Sequence, residues 1–302
     1  QDTLDFMLRE MQTASGGFAA SLSAVDAQGV EGGYYLWSDD ELTKLLSAAE
    51  RDVLRTYWRI EGAAPLDAGH HLIQPRRLEE VATSLSLNPQ QLAGLVESAR
   101  QKLVSARQRR GVPKDEKQLA GWNGLALTAF ATGYKQTRNI KYQQAAQAIV
   151  DNLTGSWWNS KTQTLSRLVV QKKSLSKGML EDYAYLAQGL FEWWQVTGKV
   201  KDRILLEQLL EQAWQRFNNP QGWQLAENML LRYGERAPLI KDGALPSPAA
   251  VLLAVSLRMP NSIFAQQARK SLSLANHEVE EQAFWHATQI RTLLLRQQLD
   301  GS

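Results

Sequence analysis

The sequence contains no cysteine, which excludes a disulfide, a thiolate nucleophile and any thiolate-based metal site in this chain. No apolar run approaches the roughly 18 residues of a membrane-spanning segment. Histidine is scarce, with only four residues: His70, His71, His277 and His286. The first two adjoin in a loop. The other two do not stand in the i,i+3 or i,i+4 relation that shares a helix face, and no His-Glu-x-x-His occurs. No metal is therefore expected. Gly-x-Gly-x-x-Gly, Walker and Gly-x-Ser-x-Gly sequences are also absent, which argues against nucleotide binding, a serine nucleophile and a bound cofactor. A strong charge of either sign is lacking: 34 Lys+Arg against 31 Asp+Glu leave a formal charge of +3. The basic group Arg107, Arg109, Arg110 falls at a helix end, where the dipole favours cations. With no recognition module in view, no nucleic-acid partner is expected. Neither membrane insertion nor a signal peptide is expected, and a cytoplasmic or a periplasmic location agrees equally with this composition.

What is present is a chain of 302 residues, 44% hydrophobic, enough for a large folded core. Gln1-Asp2-Thr3 already lies within a helical pattern, so the chain reads as part of a longer protein. Leu4, Met7, Leu8 and Met11 form one helical face. Residues 17–37 alternate and carry aromatics, which predicts a β-hairpin. Ser38 and Glu41 make a capping box for a helix running to about Ala49. Residues 50–75 read as irregular, with Pro75 ending them. A short helix through Ala82 follows, and Asn88-Pro89 starts a helix that reaches about Arg109. From about residue 121 the pattern becomes regular. Helices are predicted over 122–136, 140–154, 179–197, 201–217, 247–258, 262–275 and 278–296, each from an apolar stripe at helical spacing. The expectation is one domain over 1–302, with a less regular part to residue 120 and helix pairs over 121–302.

An internal echo runs through this array and matters more than any single motif. A helix ends, a Gly-containing turn follows, then an aromatic and a short extended stretch: Gly16-Gly17-Phe18, Gly155-Ser156-Trp157-Trp158 and Gln221-Gly222-Trp223. The later two copies lie about 65 residues apart, a period that suits two helices and a loop. The hairpins would then gather at one end of the array, where sites tend to lie.

Candidate chemistry sits at helix starts. Glu181 and Asp182 open an apolar helix, where the dipole alone favours carboxylates. They point about 100° apart, so only one can face a given cavity, as a candidate general acid or base. Asp242-Gly243 is a turn ahead of Ser247-Pro248, which reads as an N-cap and first helical residue. Carboxylates around one cavity suit glycosidic or epimerising chemistry. Asp182 and Asp242 are the acid–base candidates, with Glu181 and Asp26 in reserve. Tryptophan is frequent, at 10, and often follows a turn or begins a helix. Trp122, Tyr183 and Trp37 are candidates to stack on or edge a sugar ring, and Asn123 to bond a hydroxyl. Gly124 follows in a helix that otherwise reads as core; a close crossing or a pocket floor would account for it.

Several of these stretches occur in an order that resembles one family. They are Gly16-Gly17-Phe18, Asp26, Glu31-Gly32-Gly33-Tyr34-Tyr35-Leu36-Trp37, Asp115-x-Lys117, Trp122-Asn123-Gly124-Leu125, Leu180-Glu181-Asp182-Tyr183-Ala184 and Asp242-Gly243-Ala244-x-Pro246-Ser247. Together they resemble the spermatogenesis-associated protein 20 family, thioredoxin-domain proteins of the DUF255 type. The resemblance implies an all-α chain: the (α/α)6 toroid of the six-hairpin glycosidase type, similar to N-acylglucosamine 2-epimerases. It would be incomplete at its N-terminus, with short β-hairpins at one rim. It also implies a thioredoxin-like domain elsewhere in the full protein, as a partner. Two departures count. Where the family carries Asp-Ala-Asp-Ser-Glu-Gly, this sequence has Ala24, Val25, Asp26, Ala27, Gln28, Gly29. Where the family continues Gly-Asn after Pro-Ser, it has Pro248-Ala249. These losses point to a non-catalytic helical domain that binds a glycan or a protein. The alternative is a carbohydrate-active enzyme, epimerase-like or glycosidase-like, using the paired carboxylates.

Overall fold

The structure is a computed structural model describing residues 1–60, 62–72, 76–170, 173–227, 237, 239–273 and 276–301, with only the backbone of 276–278. The expected break at Pro75 and the side chain of His277 lie outside the described residues. The chain forms two compact units, residues 1–20 with 116–302, and residues 21–115. Helix α1 (Asp2–Phe6) continues through a wider π turn, Met7–Met11, and sets Leu4, Met7, Leu8 and Met11 against the larger core. The chain then reverses, and Gln12 bridges Phe18.

In the 21–115 unit, β1 (Ser21–Leu22) pairs antiparallel with β2 (Lys114–Asp115), joining the two ends of the unit. The expected hairpin over 17–37 is therefore not formed. Asp26 Oδ1 accepts from the backbone N–H groups of Gln28 and Val30, which curls the loop instead, and Trp37 bridges His70 rather than the 18–22 stretch. Helix α2 (Asp39–Leu45) begins at the Ser38/Glu41 capping box. Helix α2 thus stops short of Ala49, and a second box, Ser47/Glu50, starts α3 (Ala48–Tyr57), so the stretch from residue 50, expected to be irregular, begins as helix. Helices α4 (Leu78–Leu85) and α5 (Pro89–Arg110) follow, the latter capped by Asn88 and Gln91 with proline in its first turn. Two small cores result, one around Trp37, Leu54 and Leu103 and one around Val53, Val81 and Leu92.

The larger unit contains β3 (Gln118–Leu119), α6 (Ala120–Thr137), α7 (Ile140–Asn152), β4 (Trp158–Asn159), β5 (Thr164–Val170), β6 (Lys173–Lys177), α8 (Leu180–Thr197), α9 (Val200–Phe217), β7 (Asn218–Asn219), β8 (Gly222–Trp223), α10 (Pro248–Leu257), α11 (Ile263–Leu272), α12 (Asn276–Glu281) and α13 (Ala287–Asp300). Helix α6 packs on α7 and α8, α8 on α9 and α10, and α10 on α11 and α13. A row of four inner helices, α6, α8, α10 and α13, is thus linked by return helices. Two of the returns begin at a left-handed residue, Arg138 (φ 57°) or Gly198 (φ 66°), that reverses the chain in about two residues. The unit is mostly helical, but not wholly: β3, β5, β4 and β6 form a small sheet in which β5 pairs with all three others.

The echo corresponds to a repeated device. The return elements α1, α7 and α9 each end in a small antiparallel pairing: Gln12 with Phe18, β4 with β5, β7 with β8. The aromatics Phe18, Trp157 and Trp223 are buried in the same core. Along the chain, the 21–115 unit occupies the position between the first of these pairings and α6.

Candidate functional site

The N-termini of the inner helices meet, and glycine is what lets them do so. A Cβ on Gly124 of α6 would lie 2.4 Å from both Leu186 N and Tyr185 C of α8, and one on Gly189 would lie 2.6 Å from Gly124 O. The backbones are therefore in direct contact, and the close crossing rather than a pocket floor accounts for Gly124. This brings Gly121 against the first turn of α8, where Asp182 Oδ1 accepts from Gly121 N at 2.9 Å. Its other oxygen accepts from Met179 N at 2.8 Å, the residue that caps its own helix, and from Arg167 Nη1 at 3.1 Å. Asp242 repeats the pattern. One oxygen accepts from the N-cap Ser247 N at 2.6 Å, the other from Thr288 N in the first turn of α13 at 2.8 Å. Each aspartate thus ties the start of its own inner helix to the second residue of a neighbouring one, where the dipole rewards negative charge. Between them, the Tyr185 hydroxyl donates to Pro246 O at 2.6 Å.

The environments of the two carboxylates differ. Asp182 is 1% exposed. Burial pushes it up to about 6, against the opposing pull of Met179 N–H, Arg167 and Gly121 N–H. At Asp242 burial acts upward too, but the Thr288 and Ser247 donors and His286 outweigh it and hold the group below the usual range. Burial also pushes the Tyr185 phenol up, with contributions from Glu181, Asp242 and Asp182.

The other expected site residues fall into three groups. Glu181 and Trp122 reach solvent beside this junction: Glu181 pairs with Arg167 at 2.7 Å, and Trp122, next to Gly121, is 45% exposed. Asn123 and Tyr183 are turned to structural work. Asn123 accepts from Phe18 N at 2.7 Å and donates to Phe18 O and Leu119 O, so its amide is occupied. The Tyr183 hydroxyl accepts from Leu165 N, and its ring packs on Phe217. Asp26 and Trp37 belong to the 21–115 unit, where Asp26 shapes a loop and Trp37 is buried beneath the Arg110 guanidinium, 3.9 Å from its ring centre.

Sequence reasoning missed Arg167, which the β5 strand holds over both acids. It also missed Phe284 and Trp285, 82% and 51% exposed, in the turn (Ala283–His286) that leads into α13. A strand-length run containing one arginine, and two adjacent aromatics ahead of a helix, were the available signals. His286 is fully buried and neither ring nitrogen has a partner among the described residues. Among those residues no group of three His, Asp or Glu side chains could hold a metal ion, and no helix is long and apolar enough to cross a membrane.

No family model matches the sequence. The chain is 24% identical over 267 residues to the uncharacterized protein B0495.5 of Caenorhabditis elegans, covering 80% of this chain and 36% of that protein. It is 27% identical over 230 residues to spermatogenesis-associated protein 20 of Homo sapiens, covering 64% and 29%. The chain thus spans about a third of the length of these curated relatives. Among solved structures, cellobiose 2-epimerase from Bacillus thermoamylovorans is similar with a TM-score of 0.44 at 11% identity, over 92% of this chain and 69% of that one. The unsaturated glucuronyl hydrolase of Bacillus sp. GL1 is similar with a TM-score of 0.43 at 12% identity, over 61% and 58%. Over about two thirds of its length, the chain is a distant relative of spermatogenesis-associated protein 20.

Proposed function

We propose that residues 1–20 and 116–302 are an arc of an (α/α) toroid that recognises a carbohydrate at the rim where its inner helices begin. The observation carrying this reading is the presence of solvent-facing indoles beside charged hydrogen-bonding groups at those helix starts. Trp122 opens α6 and Trp285 precedes α13, both about half exposed, while Glu181 and Arg167 form a pair at 28% and 29% exposure. An indole face offers a flat apolar surface to the C–H face of a pyranose, and a carboxylate and a guanidinium supply acceptor and donor for its hydroxyls. Asn123 and Tyr183, committed elsewhere, take no part. The test is a titration with cellobiose, an α-1,6-linked mannotriose and a glucuronate-containing disaccharide, followed by tryptophan fluorescence and calorimetry. Saturable binding that Trp122→Ala abolishes, with an unchanged circular dichroism spectrum, is the expected result. Binding of none of the three, or unaltered binding by the variant, overturns the proposal.

A catalytic reading draws support from one observation: buried Asp182 and half-buried Asp242 are pushed in opposite directions, Asp182 up to about 6 and Asp242 down. Acid–base chemistry on sugars uses such a split, with Asp182 carrying the proton and Asp242 remaining ionised. Incubation with the same sugars, monitored by NMR for new anomeric or epimeric signals, checks it. Turnover lost in Asp182→Asn while the sugar still binds supports it; binding without any turnover by the wild type rules it out.

A further inference from the structure

A cavity of about 680 Å³ lies wholly within the 21–115 unit. One wall is the 30–36 loop and the other the 66–71 loop. Neither has regular secondary structure beyond isolated bridges, yet both are held. Asp26 ties the start of the first loop to Gln28 and Val30 N–H. Arg110 binds its far end, donating to the Gly33 and Leu36 carbonyls at 2.7 and 2.6 Å and to Glu41 at 2.8 Å while lying on the Trp37 ring. The second loop is joined to the first by the reciprocal Trp37–His70 backbone pair, and closed on itself by the Leu66–Gly69 bridge. Gly69 (φ +132°) admits no side chain, since a Cβ would lie 2.4 Å from Trp37 O. Two loops fixed at this depth hold open the space between them.

The lining is chemically one-sided. Val30, Leu36 and Leu66 supply an apolar surface, and Tyr35 an aromatic one. Val30 and Leu66 are 43% and 51% exposed and so present their side chains to the space. Glu31 and Asp67 supply two carboxylates with no ion pair among the described residues, and His71 an imidazole. Among the described residues no lysine or arginine lines the space.

We infer that this cavity binds a small organic cation: an ammonium or guanidinium group carried on an apolar body. The carboxylates receive the charge through charge-assisted hydrogen bonds. Tyr35 offers its π face to the cation, and the aliphatic wall takes the hydrocarbon. The inference is independent of the carbohydrate reading, because every group it uses belongs to the 21–115 unit.

Calorimetry on the full chain with agmatine, cadaverine and 2-phenylethylamine tests it, with 2-phenylethanol and 3-phenylpropionate as the neutral and anionic counterparts. At least one amine should bind at low ionic strength and weaken as salt is added. The two counterparts should bind at least about tenfold more weakly than it does. Glu31 and Asp67 are exposed, so Glu31→Gln and Asp67→Asn leave the fold intact, and each should weaken the amine by about tenfold or more. Failure of all three amines to bind, equal binding of the alcohol, or wild-type affinity in both variants overturns the inference.

Discussion

The contact between α6 and α8 makes a prediction in which one substitution has opposite signs at two helical positions. Alanine in place of glycine within a helix gains about 0.8–1 kcal/mol of propensity when nothing else changes. Gly94 lies on α5 with no atom within 4 Å of the Cβ it would carry. Gly94→Ala should therefore stabilise the 21–115 unit by up to about 1 kcal/mol. At Gly124 the added carbon meets backbone at 2.4 Å, whereas ordinary contact begins near 3.4 Å. Main chain cannot swing aside as a side chain does, so α6 and α8 must part by about 1 Å. Overpacking of this kind costs about 1–3 kcal/mol, occasionally more. Parting the two helices also stretches the Gly121–Asp182 bond one turn away. The net expectation for Gly124→Ala is a loss of about 2 kcal/mol, or roughly 4–8 °C in a unit of this size. Scanning calorimetry and urea titration of both variants measure it. A Gly124→Ala protein as stable as the wild type would refute the claim that the backbones touch there.

Removing the Asn123 amide by substitution with alanine frees both backbone groups of Phe18, for a loss of about 2–4 kcal/mol. Amide exchange at Phe18 should accelerate more than at α9, and uniform acceleration would contradict a local clamp. Asp182 makes a prediction about pH: its folded value, near 6, lies above the ordinary 3.8, so the stability it contributes is complete below about 3.8 and lost as pH rises through about 6. A shift of about two units corresponds to about 3 kcal/mol. The difference between wild type and Asp182→Asn, by urea titration between about pH 4 and 7.5, should move by that amount against the wild type, and a flat difference would remove the basis for a raised value.

Most helices of the larger unit could be read from sequence because their information is local; the stretch 278–296, expected as one helix, is instead α12, the Ala283–His286 turn and α13. Stripes such as Leu206, Leu209, Leu210 and Ala213, and starts such as Ser247-Pro248, lie within a few residues of what they determine. The same locality explains why the capping box of α2 and the Asn88-Pro89 start of α5 were legible. The short α3 box shows the limit: Ser47/Glu50 has the same signature, but it falls at the expected end of the preceding helix, and the α3 residues after it read as irregular. Asp242 marks the opposite case. Its turn was legible, but its acceptance of the Thr288 N–H spans 46 residues, and no local pattern encodes such a contact. Tyr183 was rightly read as inward. Period alone does not reveal that the direction leads to the Leu165 backbone rather than to a cavity. Trp37 was conspicuous as an aromatic after glycines, yet its environment depends on Arg110, more than 70 residues along the chain.

If the rim binds a carbohydrate as proposed, Asp182 and Asp242 would matter to it first through the helix starts they hold. Parallel inner helices bring several positive dipole ends to one place, and each helix start leaves backbone N–H groups without intrahelical partners. A carboxylate has enough lone pairs to serve two helix starts at once, whereas an alcohol cap serves one. Asp182 and Asp242 do this with the same division: one oxygen on the N-cap of their own helix, one on the second residue of a neighbour. Helix register at the rim therefore depends on them, and with it the position of every residue that rises from the first turns. Trp122 follows Gly121, Glu181 precedes Asp182, and the Trp285 carbonyl accepts from Asp242 N–H at 2.8 Å. The exposed groups that a ligand would meet are thus each one bond, or one residue, away from an aspartate that a ligand need not meet. Loss of binding in an Asp182 or Asp242 variant alone would accordingly be ambiguous, and the exposed neighbours Trp122 and Glu181 are the positions at which recognition separates from architecture.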